Sequence, residues 1–366
     1  MSVTQEEILK TLRSVKDPDL HRDIVSLGFV KDIQINNGNI RFNVELTTPA
    51  CPVKEQLKQE CETKIKDLPG VSTVEVNMTS NVRSRPEFGQ GKVLSQVRNI
   101  VAIASGKGGV GKSTVTANLA LALAKTGAKV GLLDCDIYGP SMPIMFGLVG
   151  AQPEITADQK IVPLKAYGIS LMSIGFLAQE KMPIIWRGPM VHQILQQFLT
   201  RVEWGELDYL LLDLPPGTGD AQLTLTQTVA ISGAVIVTTP QEVSLIDARK
   251  GLQMFEKVNV PVLGLIENMS YFSCPDCSKV VEVFKRGGGE RMSQEMGVPL
   301  LGEIPIDPEI VQTGDQGKPI VAAKPESQTA KIYQIIAGAI AAQLSIAYMQ
   351  NSARPQVDLK WQAGKS

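Results

Sequence analysis

Apolar residues in this chain come in short runs whose period changes near residue 99. Before that point they alternate with polar ones. Residues 29–35 and 40–46 read as half-buried strands about a turn at Asn36, Asn37, Gly38 and Asn39, and an Asn-Gly step between alternating runs is a strong hairpin signal. Thr4 and Glu7 make a capping-box pair ahead of Ile8, Leu9 and Leu12. Residues 52–68 read as a polar helix, and Val71, Val74 and Val76 as a last strand. The order is α-β-β-α-β, a small α+β unit over residues 1–80. Residues 81–98 carry Pro86, Gly89 and Gly91 and read as a linker.

From residue 99 to 366 continuous apolar runs replace the alternation. Residues 100–104, 129–133, 169–174, 209–212, 234–238, 262–266 and 300–304 are predicted strands with helical stretches between them. That alternation predicts an α/β domain, a mostly parallel sheet covered by helices on both faces. Residues 335–348 are apolar but short for a bilayer crossing and are interrupted by Gln343. They are expected to form a helix docked on the main domain.

Composition narrows the function classes. The chain has 366 residues, 43% apolar and 20% charged, as in ordinary globular proteins. Its net charge is −1, and the first 85 residues hold 12 basic and 12 acidic side chains, so neither a nucleic-acid partner nor a membrane surface is expected. Five cysteines argue for a reducing, cytoplasmic setting rather than a disulfide framework. The first residues, MSVTQEEILKTLRSVKD, lack the apolar core of a signal peptide.

The strongest chemical signal is NIVAIASGKGGVGKST, residues 99–114. A buried strand runs into glycines and then into a helix carrying Leu119, Leu121 and Leu123, with Gly127 as its C-terminal stop. The spacing Gly106, four residues, Gly111, Lys112, Ser113 is that of a phosphate loop. Glycines let successive N–H groups curl around an anion, and the helix start adds its positive dipole end. The whole loop is expected to hold the nucleotide: Gly106, Lys107, Gly108, Gly109, Val110, Gly111, Lys112, Ser113 and Thr114. Lys112 supplies a point charge for the β- and γ-phosphates, and the Ser113 hydroxyl a ligand for Mg²⁺.

Polar residues at the predicted strand ends complete this reading, because open α/β sheets bind ligands at the carboxyl ends of their strands. Asp213, followed by LPPGTGD, is placed to hold the magnesium shell, and the Gly217 backbone to sense the γ-phosphate. Of Asp134 and Asp136 in LLDCDIYGPS, Asp136 is the choice for orienting the attacking water. Asp134 either binds magnesium-shell water or caps a turn, and Cys135 faces the sheet interior. Asn268 is either a partner for the adenine edge or a turn residue. Lys107 is an extra lysine that phosphate binding alone does not need. A buried charge needs a partner, so it either meets phosphate oxygens, in its own chain or in trans, or lies solvated on the loop.

Two cysteine settings stand out. Cys51, in TTPACP, sits at a predicted helix start, where a thiol pKa is lowered; it is either a reactive thiol or a small residue packed beneath the helix. Cys274 and Cys277 form C-x-x-C, while thiolate metal sites usually take four ligands. The only histidines are His21 and His192, so one chain supplies half a site that a two-fold dimer would complete. By spacing alone the pair serves an iron–sulfur cluster, zinc or a redox dithiol.

GKGGVGKST, LLDCDIYGPS and LLDLPPGTGD together resemble the deviant-Walker ATPases, the group that holds MinD, ParA and the nitrogenase iron protein. That resemblance implies an ATP-dependent homodimer in which Lys107 reaches across the interface. The phosphate loop followed by NMSYFSCPDC is similar to the Mrp/ApbC branch, and DPDL with TTPACP is similar to the small domain of SufT-type assembly factors. The branch implies ATP hydrolysis with Lys107, Lys112 and Asp136 at the positions implicated. It further implies a 4Fe-4S cluster on Cys274 and Cys277 bridging two subunits, with cluster-assembly scaffolds and apo iron–sulfur proteins as partners. The expected cofactors are ATP, Mg²⁺ and that cluster. A MinD- or ParA-like positioning ATPase is the alternative, set against a tail, SARPQVDLKWQAGKS, with Pro355 and little amphipathy. A nitrogenase-type reductase would need cluster cysteines on other loops.

Overall fold

The computed structural model describes residues 3–82, 94–177, 188–217, 219, 222, 225, 226 and 228–352. Most of the expected linker (residues 83–93) and the tail from residue 353 lie outside the described residues.

The first unit begins with α1 (Gln5–Leu12). Its capping box is formed: the Glu7 N–H donates to Thr4 Oγ1 at 3.3 Å, and the Thr4 N–H to Glu7 Oε2 at 2.8 Å. Two residue pairs, β1 (Lys16–Asp17) and β2 (Arg22–Asp23), bracket the DPDL segment. Strands β3 (Val30–Asn36) and β4 (Asn39–Leu46) pair antiparallel. Asn37 (φ 48°) and Gly38 (φ 82°) both take the left-handed conformation that a two-residue hairpin turn demands. Helix α2 (Lys54–Lys66) returns the chain so that β5 (Thr73–Ser80) adds parallel to β4. This small sheet and its helices close over Ile8, Leu12, Phe29, Phe42, Leu57 and Ile65, all buried.

The second unit runs through β6 (Val97–Ala104), α3 (Lys112–Lys125), β7 (Val130–Asp134), α4 (Met142–Met145), β8 (Leu164–Ala166) and β9 (Ile169–Ser173). It continues with α5 (Gly188–Arg201), β10 (Leu207–Asp213), β11 (Gly233–Thr238), α6 (Glu242–Lys257) and β12 (Val262–Ser273). The last elements are β13 (Val280–Val281), α7 (Gly288–Met296), β14 (Leu300–Ile306), α8 (Pro308–Asp315), α9 (Ile320–Ala323) and α10 (Gln328–Ser352). Among the described residues the sheet order is β13-β12-β11-β6-β10-β7-β9-β8, with β14 also on β12. Pairing is parallel except for β8 with β9 and β13 with β12. Strands β7 and β11 are buried along their whole length, which is why their sequences read as unbroken apolar runs.

Strand β6 sits centrally, between β10 and β11. The chain leaves it for β7 on one side and later reaches β11 and β12 on the other. This reversal opens a crevice beyond the carboxyl ends of β6, β7 and β10. Two elements are longer than their sequence pattern. Strand β12 overruns residues 262–266 by seven residues, to Ser273. Helix α10 has 25 residues where only 335–348 read as helical, and by length and composition alone it could cross a bilayer. In the fold it lies against α3 and β14, burying Tyr333, Ile336, Ala337, Ile340, Ala341 and Leu344. Its docking therefore rests on burial and not on shortness.

The small unit touches the large one through the loop before α2. The hydroxyls of Thr48 and Tyr209, both buried, lie 2.8 Å apart, and Thr47 Oγ1 donates to Ser345 Oγ on α10 at 2.9 Å. A Cβ on Gly338 of α10 would stand 3.0 Å from the Ala50 carbonyl oxygen, so a small residue is required at that crossing. Burial pushes the Tyr209 phenol up to about 12, so it stays a neutral hydrogen-bonding group. Replacing Tyr209 by Phe strips a buried hydroxyl of its partner at a cost of about 1–3 kcal/mol. Calorimetry on Tyr209→Phe should show a lowered unfolding midpoint; an unchanged midpoint would mean that this bond carries no stability.

Candidate functional site

Between β6 and α3 the chain forms a tight loop. Gly109 (φ 81°) and Gly111 (φ 79°) take left-handed backbone that side chains resist. Gly106 is required for space: a Cβ there would lie 2.2 Å from the Asp247 carbonyl carbon of α6. On Gly111 it would lie 2.3 Å from Asn268 Nδ2. The loop borders a cavity of about 240 Å³, lined by residues 107–114 with Ser105, Asp136, Gly139, Ser141, Met145 and Pro216. That is below the roughly 300–1,000 Å³ of whole-ligand sites, and its lining is the phosphate-loop end of such a site. The first-turn N–H groups of α3 have no partners within the helix and face this end.

At the floor lies Asp213, the last residue of β10, with no exposed surface. Its Oδ1 accepts from Lys112 Nζ at 2.6 Å and from Thr116 Oγ1 at 2.8 Å; its Oδ2 accepts from Ser113 Oγ at 2.6 Å. Lys112 is only 6% exposed, so this is a buried ion pair with further hydrogen bonds, the form in which burying two charges is tolerated. Sequence reasoning missed Thr116. It stands four residues after Lys112 and therefore on the same helix face.

The other acidic residues divide clearly. Asp134, at the end of β7 beside Asp213 in register, is fully buried. It accepts from Ser173 Oγ at 2.9 Å, the Asp136 N–H at 3.1 Å and the Met142 N–H at 3.4 Å, and so fastens the turn after β7. Burial, then the Asp213 carboxylate, push its carboxyl up to about 7. Asp136 instead lines the cavity and accepts from the Gly139 N–H at 3.2 Å. Cys135 between them is buried, and burial raises its thiol far above its ordinary value. The Gly217 N–H (φ 98°) donates to the Ser105 carbonyl at 2.9 Å, tying the segment after β10 to the loop. Ser141 is a second missed residue: its buried hydroxyl borders the cavity with no hydrogen bond among the described residues. Lys107 lines the cavity half-buried, and its own carbonyl accepts from Ser105 Oγ at 3.0 Å.

Asn268 belongs to the loop itself. It is buried, and its amide donates to the Val110 carbonyl at 2.8 Å. Strand β12 continues beyond it to Ser273, and Cys274 and Cys277 follow at the tip of a hairpin with β13. The tip is closed by the Cys274 N–H to the Lys279 carbonyl at 3.0 Å and the Ser278 N–H to the Cys274 carbonyl at 2.9 Å. Cys274 is half-buried and Cys277 exposed, and they are not joined. N–H groups of Cys277 and Asp276 directed at the Cys274 sulfur lower its thiol pKa. No group of three or more metal-ligating side chains occurs among the described residues, so the pair stands as two ligands. Cys51 differs: burial pushes its thiol up to about 11, against the pull of the Val53 N–H, with Asp17 and Asp19 adding to the rise. That is the environment of a packed thiol.

Comparison with known proteins places these features. Residues 96–341 match the family described as NUBPL iron-transfer P-loop NTPase, and residues 5–77 match the family described as iron-sulfur cluster assembly protein. The iron-sulfur cluster carrier protein of Synechocystis is 50% identical over 349 residues, 94% of this chain and 99% of that protein. That of Escherichia coli K12 is 40% identical over 336 residues, 91% of this chain and 90% of its own length. Among solved structures, a nucleotide-binding protein of Archaeoglobus fulgidus in complex with ADP is 41% identical, with a TM-score of 0.57, covering 64% of this chain and 92% of that one. By these matches, which cover most of its length, the chain belongs to the iron–sulfur cluster carrier family of P-loop NTPases.

Proposed function

We propose that this chain binds and hydrolyses ATP with Mg²⁺ at the phosphate loop and, as a cytoplasmic homodimer, carries a 4Fe-4S cluster that it hands to apo iron–sulfur proteins. The observation that carries this reading is the coexistence, on the carboxyl side of one sheet, of a phosphate cradle and a thiol pair too small to be a site alone. Four thiolates satisfy such a cluster, and a two-fold axis doubles the two at hand. The donor set fits: Cys274 and Cys277 lie at an accessible hairpin tip, and the Cys274 thiol is biased toward the thiolate that ligates metal.

At the nucleotide end, the loop N–H groups and Lys112 hold phosphate oxygens, and Ser113 with Asp213 serves the Mg²⁺ shell. Mg²⁺ held there would supply positive charge against the phosphates. Lys112 must then exchange part of its hold on Asp213 for phosphate. Asp136, at the cavity wall, orients the attacking water. Lys107 supplies positive charge to the γ-phosphate, across the dimer interface, by arginine-finger logic. Asn268 keeps the loop in shape from below, with the adenine edge as the contact left to its remaining amide atoms. Residues 1–80 form the assembly-factor unit, 81–98 the connection and 99–366 the ATPase unit.

Three outcomes follow from this assignment. Reconstitution with iron and sulfide should give cluster absorption that disappears in Cys274→Ala and Cys277→Ala; unchanged absorption per dimer would remove these ligands from the account. Lys107→Ala should lose ATP turnover by about a hundredfold or more while still binding nucleotide, whereas wild-type turnover would return Lys107 to a solvated loop residue. Thiol labelling with iodoacetamide at about pH 8 should modify Cys274 and Cys277 first and spare Cys51, whose reactive thiolate accumulates only as pH approaches about 11. Early labelling of Cys51 in the folded chain would contradict its packed environment.

A further inference from the structure

One polar cluster is used by neither the phosphate site nor the thiol pair, and it lies between them. Past Asn268 the pairing of β12 with β14 slips: Asn268 faces Ile304, and the next partners are Phe272 and Ile306. Residues 269–271 therefore bulge out, with Met269 in left-handed backbone (φ 56°), a conformation that non-glycine residues resist. Cys274 lies six positions after Asn268, which is fixed to the phosphate loop, a span of at most about 20 Å along an extended strand.

Both legs of the thiol hairpin are tied down beside this bulge. On the outgoing leg, Ser270 Oγ lies 2.6 Å from Glu267 Oε1 and 3.1 Å from Glu303 Oε1. On the returning leg, Arg286 grips both carboxylate oxygens of Glu303, with Nη2–Oε2 at 2.5 Å and Nε–Oε1 at 3.2 Å. Its guanidinium carbon also lies 4.6 Å from the centre of the Tyr271 ring, on the bulge. The adjacent Gly287 N–H donates to Glu267, as does that of Gly289. Glu267 is fully buried and directly precedes Asn268. The phosphate loop touches Asn268 twice: the Asn268 amide donates to the Val110 carbonyl at 2.8 Å, and Gly111 packs so close to it that an added Cβ would stand 2.3 Å from the amide nitrogen. Asn268 is joined in sequence to Glu267 and the bulge, and Arg286 is the one cation that joins the bulge to the returning leg among the described residues.

We infer that Arg286, through Glu303 and Tyr271, is a positioning residue that transmits occupancy of the phosphate loop to the Cys274–Cys277 hairpin. The inference deepens the proposed function, since it assigns the link between the nucleotide and the cargo thiols. A purely structural salt bridge would steady the hairpin equally with and without nucleotide. A coupling residue changes the ratio between the two conditions.

The test is the iodoacetamide alkylation rate of Cys274 and Cys277 in the full chain without iron, with and without Mg·ADP, under conditions where sedimentation records one oligomeric state. In the wild type, Mg·ADP should change that rate by about fivefold or more. In Arg286→Gln the ratio should collapse toward one, with Mg·ADP still bound, because Arg286 lies outside the phosphate site. Glu303→Gln should do the same and serves if Arg286→Gln does not fold. A wild-type ratio of one, a ratio that persists in the variants, or one that appears only when the chain changes oligomeric state would each overturn the inference. Because no cluster is needed, the result is independent of whether the cysteines hold iron.

Discussion

The buried ion pair between Lys112 and Asp213 is the constraint on which the rest of this structure depends. It joins the loop after β6, the first turn of α3 and the end of β10 in one contact of 2.6 Å. Neither group tolerates being left alone, since an uncompensated buried charge costs several kcal/mol. Ser113 and Thr116 occupy further lone pairs of the same carboxylate, so its hydrogen-bonding capacity is nearly filled, by Ser113 and Lys112 from the cavity lining and by Thr116 from the buried turn behind them. A phosphate group entering that cavity offers Lys112 a competing anion, and a divalent cation offers Asp213 a competing partner. In the proposed function, binding is an exchange among charges already in place.

The sheet order puts this exchange within reach of the thiol hairpin. Strand β12 is two places from β6, beyond β11, yet it extends past the other strands and touches the phosphate loop through Asn268. One strand thus holds the loop at its middle and the cysteine pair at its end. Glu267, buried with its carboxylate accepting from Ser270, Gly287 and Gly289, ties the middle to the start of α7. The bulge beyond it interrupts the ladder with β14 before the hairpin.

How far this was legible follows from the range of the interactions involved. The phosphate loop and its flanking strand and helix were readable because glycine spacing and apolar period are local. The aspartates at the ends of β7 and β10 were readable for the same reason, each closing an apolar run. Asp134 and Asp136 are two residues apart and chemically alike, and only the fold separates the turn-fastening carboxylate from the one on the cavity wall. The extension of β12 was hidden because NMSYFS breaks strand alternation at its bulge, and its pairing with β14 lies more than thirty residues away. Arg286 and Glu303 were invisible for that reason too. Cys51 shows the opposite limit: a helix start favours the thiolate locally, but burial, which sequence does not display, outweighs it.

In the proposed function two chains share a cluster for which each supplies half of the ligands. Native mass spectrometry of the iron- and sulfide-loaded protein tests this sharing, since it weighs cargo and oligomeric state in the same ion. Shared ligation predicts cluster mass on the dimer alone, with the monomer carrying none. A monomer that retains the cluster would contradict it.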